Sequence, residues 1–305
     1  MSGLEPAGGM VHLVRVLFFK RILDFKQAAL ARLRDKRKVA RYPVGPGFPL
    51  KGTVSLRGLA STGCDWSGSL ANLSPCGVSL LLPPAAATTR GEKSTLRLTI
   101  EQHTLQLPCV VTHFRVLSTH AVCGLRLEFP DFTVQKAFSQ LLEAVRIGAS
   151  FAPVKVSALA RHPPGLGLEQ YRADAQSRLA VWRKTADRQM DSFELVIGDH
   201  CLRGEAEGPT LEVYARAAGG TGKVARSAPA YNLTAGVAEE VRQLFRWVLP
   251  NFTQAVPADV RAFLQHVINK TRTPAERKMA QAFPAPPLFP PPRRPAPRPP
   301  LATTR

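Results

Sequence analysis

The sequence predicts a mainly β N-terminal domain, a six-stranded antiparallel barrel with a flanking C-terminal helix, followed by a smaller α+β domain. Short apolar runs, several of them alternating, follow one another closely between residues 50 and 129. Such spacing is typical of small antiparallel barrels. A helical pattern comes directly after them, and a chain of 305 residues is long enough for a second domain.

The chain begins with a basic segment that we interpret as one amphipathic helix over residues 10–34. Val14, Phe18 and Ile22 recur at steps of four and share one face, and arginines and lysines occupy the other. A basic amphipathic helix can lie on an anionic membrane surface. It can also dock its apolar face on the protein's own body or on a second copy, which is the interpretation that we favour.

The barrel is expected within a domain spanning residues 35–147. Its six predicted strands lie in the runs LKGTVSLRG, WSGSLANLS, GVSLLLP, STLRLTI, TLQLPCVVTHF and AVCGLRLEF. Leu96–Ile100 and Leu125–Phe129 alternate between apolar and polar residues, as a half-buried strand requires. A helix over Thr133–Val145, capped by Thr133, is predicted to cover an open end of the barrel.

Residues 148–167 are rich in glycine, proline and small residues and are predicted to be a linker. The α+β domain, of a type that we do not recognise, is expected over residues 168–272. Its predicted elements are a helix over Leu168–Met190, strands over Phe193–Ile197 and Thr210–Tyr214, and helices over Val237–Leu249 and Ala258–Asn269. Residues 273–305 form a tail rich in proline and arginine that is predicted to be extended and disordered.

The net charge of +19 favours anionic partners, which include nucleic acid, anionic lipid and phosphorylated small molecules. No acid/base pair, triad or metal-ligand spacing can be assembled, so we expect neither an enzyme nor a metal site. The five cysteines form no CxxC pair, and we expect small buried side chains rather than reactive thiols. The stretch GGTGKV at 219–224 fails the phosphate-loop pattern, because Ala217 and Val224 stand where glycine and a hydroxyl residue are needed.

Two short motifs carry the functional signal. The first is RDKRKVARYPV, in which Arg37 and Arg41 are four residues apart just before the barrel. The second is NLSPCG, 31 residues after Arg41, which contains Asn72, Ser74 and Gly77 in a turn between two predicted strands. Both arginines would project from one side of an extended segment, because a separation of four preserves the face.

This pair of motifs resembles the PilZ family, whose signatures are RxxxR and [D/N]xSxxG in this order. The closing GLRLEF strand and the helix after it also resemble the end of a PilZ domain, so the resemblance covers about residues 35–146. It implies that the protein binds cyclic di-GMP, a bacterial second messenger, without enzymatic activity.

The residue types suit that ligand, which offers two phosphates and two guanine bases. The planar fork of arginine matches the O6 and N7 acceptors of guanine and can also pair with phosphate, so Arg37 and Arg41 are the expected clamp. Asn72 could read a guanine edge, and Ser74 could donate to a phosphate or hold the turn. Gly77 could let the backbone approach the ligand or adopt a positive φ. No cofactor is expected besides this ligand.

The sequence therefore favours a cyclic di-GMP receptor whose C-terminal domain or proline-rich tail contacts an unknown protein partner. The alternative is a basic scaffold that binds nucleic acid or a membrane surface. Nucleic acid is disfavoured, because only 7% of residues are aromatic and no DNA-binding motif is recognised. In the absence of a signal peptide and of a long apolar stretch, we expect a cytoplasmic protein, in contact with a membrane only if residues 10–34 bind lipid.

Nine lysines and arginines against two aspartates lie between Lys20 and Arg41. Because these charges repel, we expect the clamp to be mobile when empty and to become ordered when it binds a dianion. The preceding helix would then be reoriented, which would relay the signal.

Overall fold

The computed structural model describes residues 40–58, 63–156, 163–207, 211–215 and 235–270. Predictions that concern Arg37, the helix over residues 10–34, the loop at 219–224 and the tail over 273–305 lie outside these residues.

The N-terminal unit is a closed barrel of six antiparallel strands with one short strand added outside. The strands are β1 (Tyr42–Pro43), β2 (Leu50–Leu56), β3 (Cys64–Ser74), β4 (Gly77–Leu82), β5 (Lys93–Ile100), β6 (His103–Val116) and β7 (Ala121–Leu127). Strands β3, β2, β5, β6, β7 and β4 are neighbours in that order, and β4 pairs back with β3 to close the ring. The predicted six-stranded barrel is confirmed.

Alternating side chains fill the interior of the barrel. Leu96, Leu98 and Ile100 of β5 are at most 1% exposed, whereas the residues between them face outward. Val54 and Leu56 of β2 point into the same interior. The period of two that was read from the sequence is therefore the period of burial.

Helix α1 (Phe132–Ser150) follows the barrel and is longer than the predicted Thr133–Val145. The prediction that Thr133 caps it was wrong. Asp131 is the capping residue, because it directly precedes the first helical residue and its carboxylate accepts a hydrogen bond from the Val134 amide at 2.9 Å. One side of α1 contacts β1, β3 and β6, and Phe138 packs on Phe129 beyond the barrel's last strand.

The second unit is a six-stranded antiparallel meander with two helices. Its elements are β8 (Ala152–Val154), β9 (Leu166–Arg172), β10 (Ser177–Lys184), β11 (Met190–Ile197), β12 (His200–Glu205), β13 (Leu211–Ala215), α2 (Ala235–Val248), a 3-10 helix (Leu249–Asn251) and α3 (Ala258–Lys270). The strands are neighbours in chain order from β8 to β13. The predictions of strands β11 and β13 and of helices α2 and α3 agree with these bounds.

The predicted helix over Leu168–Met190 was wrong, since this stretch forms strands β9 and β10 and a connecting turn. The turn contains neither glycine nor proline, and the aspartate at 174 makes it instead. Its carboxylate accepts a hydrogen bond from the Gln176 amide at 2.9 Å, and the Ala173 amide bonds to the Ser177 carbonyl at 3.0 Å. Residues 148–154 of the expected linker are also largely regular, because α1 continues to Ser150 and β8 covers Ala152–Val154.

One continuous hydrophobic core runs through both units. Helix α1 forms its middle layer, since it contacts the barrel on one side and α2 and the 3-10 helix on the other. Phe193 of β11 meets Phe263 of α3 edge to face, with 6.0 Å between ring centroids. Within the described residues, the structure contains no helix that is long and apolar enough to cross a membrane.

A buried carboxylate organises the face of the second sheet opposite α3. Glu194 accepts hydrogen bonds from Arg178 and Arg203, each at 3.0 Å, and from the Tyr214 hydroxyl at 3.1 Å. Burial alone would raise the pKa of Glu194, but the hydrogen bonds from Arg203 and Arg178 outweigh it and lower the pKa below its ordinary value. The charge is thus balanced by two cations, and its hydrogen bonds link four neighbouring strands, β10 to β13.

Candidate functional site

The short strand β1 brings the end of the RxxxR segment beside the NxSxxG segment. Tyr42 is opposite Leu73 and Pro43 is opposite Asn72 in an antiparallel pair. The Val44 amide extends the contact by donating to the Ala71 carbonyl at 3.1 Å. Continuing this register by one residue puts Arg41, which is exposed, at the level of Ser74. The two motifs therefore meet at one strand.

A bulge in β3 turns Asn72 outward. Leu70 pairs with Leu80, and Asn72 with Ser79, so Ala71 is one extra residue in β3. In an unbroken strand Asn72 would share the face of Leu70, which is buried in the barrel. The extra residue instead places Asn72 on the outer face and returns Leu73 to the core, where it is 0% exposed.

Ser74 and Gly77 close the turn between β3 and β4. The Ser74 hydroxyl donates to the Gly77 carbonyl at 3.1 Å, and Ser74 is only 6% exposed. Pro75 supplies the negative φ that the first of the two central residues of such a turn needs. Of the two roles expected for Ser74, holding the turn is therefore the one that its hydrogen bond supports.

Gly77 does not have the positive φ that was considered for it, since the described glycines with positive φ lie elsewhere. Glycine is needed at this position because β4 and β7 pack closely together. A Cβ atom at this position would lie 2.8 Å from the Leu125 carbonyl oxygen, which is closer than real Cβ contacts allow. Glycine thus lets the turn sit directly against β7, and the Leu127 amide fixes it by donating to the Cys76 carbonyl at 2.9 Å.

The expectation of buried cysteines was wrong for Cys64 and Cys76, which are exposed, and correct for Cys109, Cys123 and Cys201. Burial raises the pKa of the Cys109 thiol to about 11 and those of the Cys123 and Cys201 thiols to about 12. Cys76 lies in the turn between β3 and β4, where its side chain is exposed. It supplies an accessible thiol inside the NxSxxG motif.

Two residues outside the motifs border the same surface. Ser79 of β4 is opposite Asn72, and Arg126 of β7 is opposite Gly77. The Arg126 side chain is 59% exposed, with one carboxylate oxygen of Glu128 at 3.7 Å. The alternation in GLRLEF could have indicated an outward arginine, but only the strand order shows that it adjoins the turn. The surface therefore offers a cationic group from the residue just before β1, Arg41, and another from β7.

The loop after β1 is held by the second unit. The Gly45 amide donates to Oδ1 of Asn251 at 2.8 Å, and Nδ2 of Asn251 donates to the Trp247 carbonyl at 2.7 Å. Asn251 is 3% exposed. Phe48 meets Trp247 edge to face, with 6.3 Å between ring centroids. The segment that carries Arg41 is thus anchored on one side to β3 and on the other to the 3-10 helix.

The described part of the chain contains no group of three histidine, cysteine, aspartate or glutamate side chains placed to hold a metal ion. The residues at the site offer arginine forks, an amide, hydroxyls and backbone groups. These recognise phosphate oxygens and base edges.

No family model matches the sequence, and no curated protein matches it. Solved structures do resemble part of it. One is the PilZ domain with c-di-GMP of YcgR from Escherichia coli, which is 14% identical, with a TM-score of 0.31, over 36% of this chain and 91% of that one. Another is the PilZ domain of CeSA from a cellulose-synthesizing bacterium, 14% identical with a TM-score of 0.27, over 35% of this chain and 97% of that one.

Both are PilZ domains. The resemblance predicted from the two motifs is thus found again among solved structures.

Proposed function

We propose that the protein is a non-enzymatic receptor for cyclic di-GMP, which binds where β1 lies beside the β3–β4 turn. The observation that carries this proposal is the pairing of β1 with β3, since it brings Arg41 next to the segment that contains Asn72, Ser74 and Gly77. Residues 31 positions or more apart in sequence then face one ligand.

The chemical fit concerns both halves of the ligand. Arg41, with Arg37 four residues before it, can pair through a planar fork with guanine O6 and N7 or with a phosphate. Asn72 faces outward and offers both a donor and an acceptor to a guanine edge. Ser74 and Gly77 act by holding the turn in place, and Arg126 adds a further positive charge.

The decisive experiment is a calorimetric titration of the full chain with cyclic di-GMP, with linear pGpG and GMP as controls. We expect saturable binding of the cyclic dinucleotide and at least roughly tenfold weaker binding of the linear ones, since only the ring holds both guanines and phosphates in place. Equal affinity for all three ligands would contradict the proposal. An electrophoretic DNA shift that is steeply salt-dependent and indifferent to cyclic di-GMP would support the nucleic-acid scaffold instead.

The proposal includes the relay expected from the sequence, in which the ligand orders the basic segment and reorients the helix before it. Hydrogen exchange over residues 34–44 should then slow when cyclic di-GMP is added. Unchanged exchange there, with binding demonstrated in the same sample, would leave the receptor in place and exclude this relay.

A receptor of this kind would act in the cytoplasm and pass the signal to a protein partner through the second unit or the tail. Flotation with vesicles that contain anionic lipid tests whether residues 10–34 also bind a membrane. A chain lacking residues 1–34 is the matched control.

A further inference from the structure

A cleft opens on the far side of the loop that follows β1. Its volume is about 310 Å³, which reaches the lower end of the range for small-molecule sites. Its walls come from three elements, namely the loop after β1, the 3-10 helix and the first turns of α3. The lining residues are Gly47, Leu249, Pro250, Arg261, Ala262 and Gln265.

Arg261 lines this cleft and forms no ion pair within the described residues. Its Nε atom is buried and makes no hydrogen bond. The nearby Asp259 is engaged elsewhere, because it pairs with Arg183 at 2.7 Å. No carboxylate within the described residues forms an ion pair with Arg261. A buried donor without a partner destabilises a protein, so an acceptor that enters the cleft would find an unmet hydrogen-bonding group.

The rest of the lining indicates which acceptor fits. Leu249, Pro250 and Ala262 present apolar surface, and Gln265 adds one amide that can donate or accept. Arg261 is the only cation among the lining residues, so a single negative charge is matched and a phosphate dianion is not. A turn of the guanidinium would bring Nε and a terminal nitrogen to one planar carboxylate, the bidentate geometry that arginine favours.

The floor of the cleft is fixed in advance. Gly45, two residues before Gly47, donates its amide to Asn251, and a Cβ atom at Gly45 would collide with the Pro250 carbonyl. The loop therefore packs directly against the 3-10 helix and is hydrogen-bonded to it. A ligand would therefore meet a backbone frame that is already in place, and only the Arg261 guanidinium would have to turn.

We propose that this cleft is a second ligand site, distinct from the β1–β3 surface, for a small organic monocarboxylate with a compact apolar body. The carboxylate pairs with Arg261, its remaining lone pairs meet the amide of Gln265, and the apolar body lies against Leu249 and Pro250. This site does not depend on the proposed nucleotide binding.

The probe for this site is benzoate, and benzamide, which has the same shape without the charge, is its control. In amide-resolved NMR titrations of the full chain, benzoate should shift the signals of Gly47 and Ala262 saturably in the millimolar range, as expected for so small a ligand. Benzamide should shift them at least about tenfold more weakly. Similar shifts with both probes, or no saturation by benzoate, would overturn the proposal.

Variants test the assignment to Arg261. We expect Arg261→Gln to weaken benzoate binding at least about tenfold and Arg261→Lys to weaken it less, because lysine keeps the charge but not the fork. Arg90→Gln, at an exposed turn of the barrel, should bind like the wild type. Unchanged affinity in both Arg261 variants would refute the site. If Arg261→Gln proves unfolded, the lysine variant and the benzamide comparison still decide.

Discussion

The Ser74 hydroxyl donates a hydrogen bond to the Gly77 carbonyl at 3.1 Å, across the turn that ends β3. Both residues belong to the NxSxxG motif. Their hydrogen bond therefore gives two of its three defining residues a role in holding the turn. Under the proposed function, the ligand-reading role then falls to Asn72, which lies on the outer face, and to Arg41, which is exposed.

Replacing Ser74 by alanine should therefore affect stability more directly than recognition. The loss of one buried hydrogen bond should lower the free energy of unfolding by about 1 kcal/mol. Urea denaturation measures this change, with Ser118→Ala in an exposed turn as the control. Wild-type stability together with abolished ligand binding would instead identify Ser74 as a direct contact.

Replacing Arg41 by alanine should weaken cyclic di-GMP binding at least about tenfold, because a charge-assisted hydrogen bond contributes about 1.5–3 kcal/mol. The same loss is expected for Arg37→Ala. Calorimetry on both variants measures it, and Arg90→Ala tests whether removing any arginine has this effect. If both clamp variants bind with wild-type affinity, the ligand lies elsewhere.

Cys76 offers a label inside the proposed site, and Cys64 offers its control within the same strand hairpin. The two thiols are exposed, but β3 spans eleven residues, so its ends are roughly 33 Å apart. Saturating cyclic di-GMP should slow alkylation of Cys76 at least about fivefold and leave Cys64 unchanged. Mass spectrometry of the labelled peptides resolves the two rates. Equal slowing at both thiols would indicate a global change rather than coverage of the turn.

The buried Glu194 predicts a pH dependence of stability. Its pKa is lowered in the folded state, so its contribution is present above the ordinary glutamate pKa of about 4.3 and is lost as the pH falls through the folded value. Glu194→Gln should cost about 3 kcal/mol at pH 7, since it leaves two arginines unpaired. The difference from wild type should shrink below about pH 4.

Urea unfolding at several pH values measures this difference, with the exposed Glu205→Gln as the matched control. A deficit that stays constant down to pH 3 would mean that the carboxylate charge contributes nothing.

The barrel could be predicted because its strands alternate and are separated by clear breaks. The turn at residues 173–176 could not, since it relies on one aspartate hydrogen bond in a stretch whose alanine, glutamine and arginine residues favour helices. Pairing of β9 and β10 with each other and with the adjacent strands β8 and β11 decided the outcome there.

The residues of the candidate site could also be named from the sequence. Which of them hold the turn and which face outward could not. The bulge at Ala71 depends on how β3 pairs with β4 and β1. The sequence around it contains no signal for an extra residue. The packing reason for Gly77 lies in β7, nearly fifty residues later. Arg126 adjoins the turn only because β7 pairs with β4 in the barrel.

Two glycines form the seam between the barrel and the second unit. A side chain at Gly45 would strike the carbonyl of Pro250, and one at Gly148 would strike that of Val248. Any homologous chain that docks a C-terminal unit in this way therefore needs glycine at both positions. A barrel that carries the RxxxR and NxSxxG motifs but larger residues at these two places must hold its neighbour differently, so the glycine pair is a fingerprint by which this architecture can be searched for in genomes.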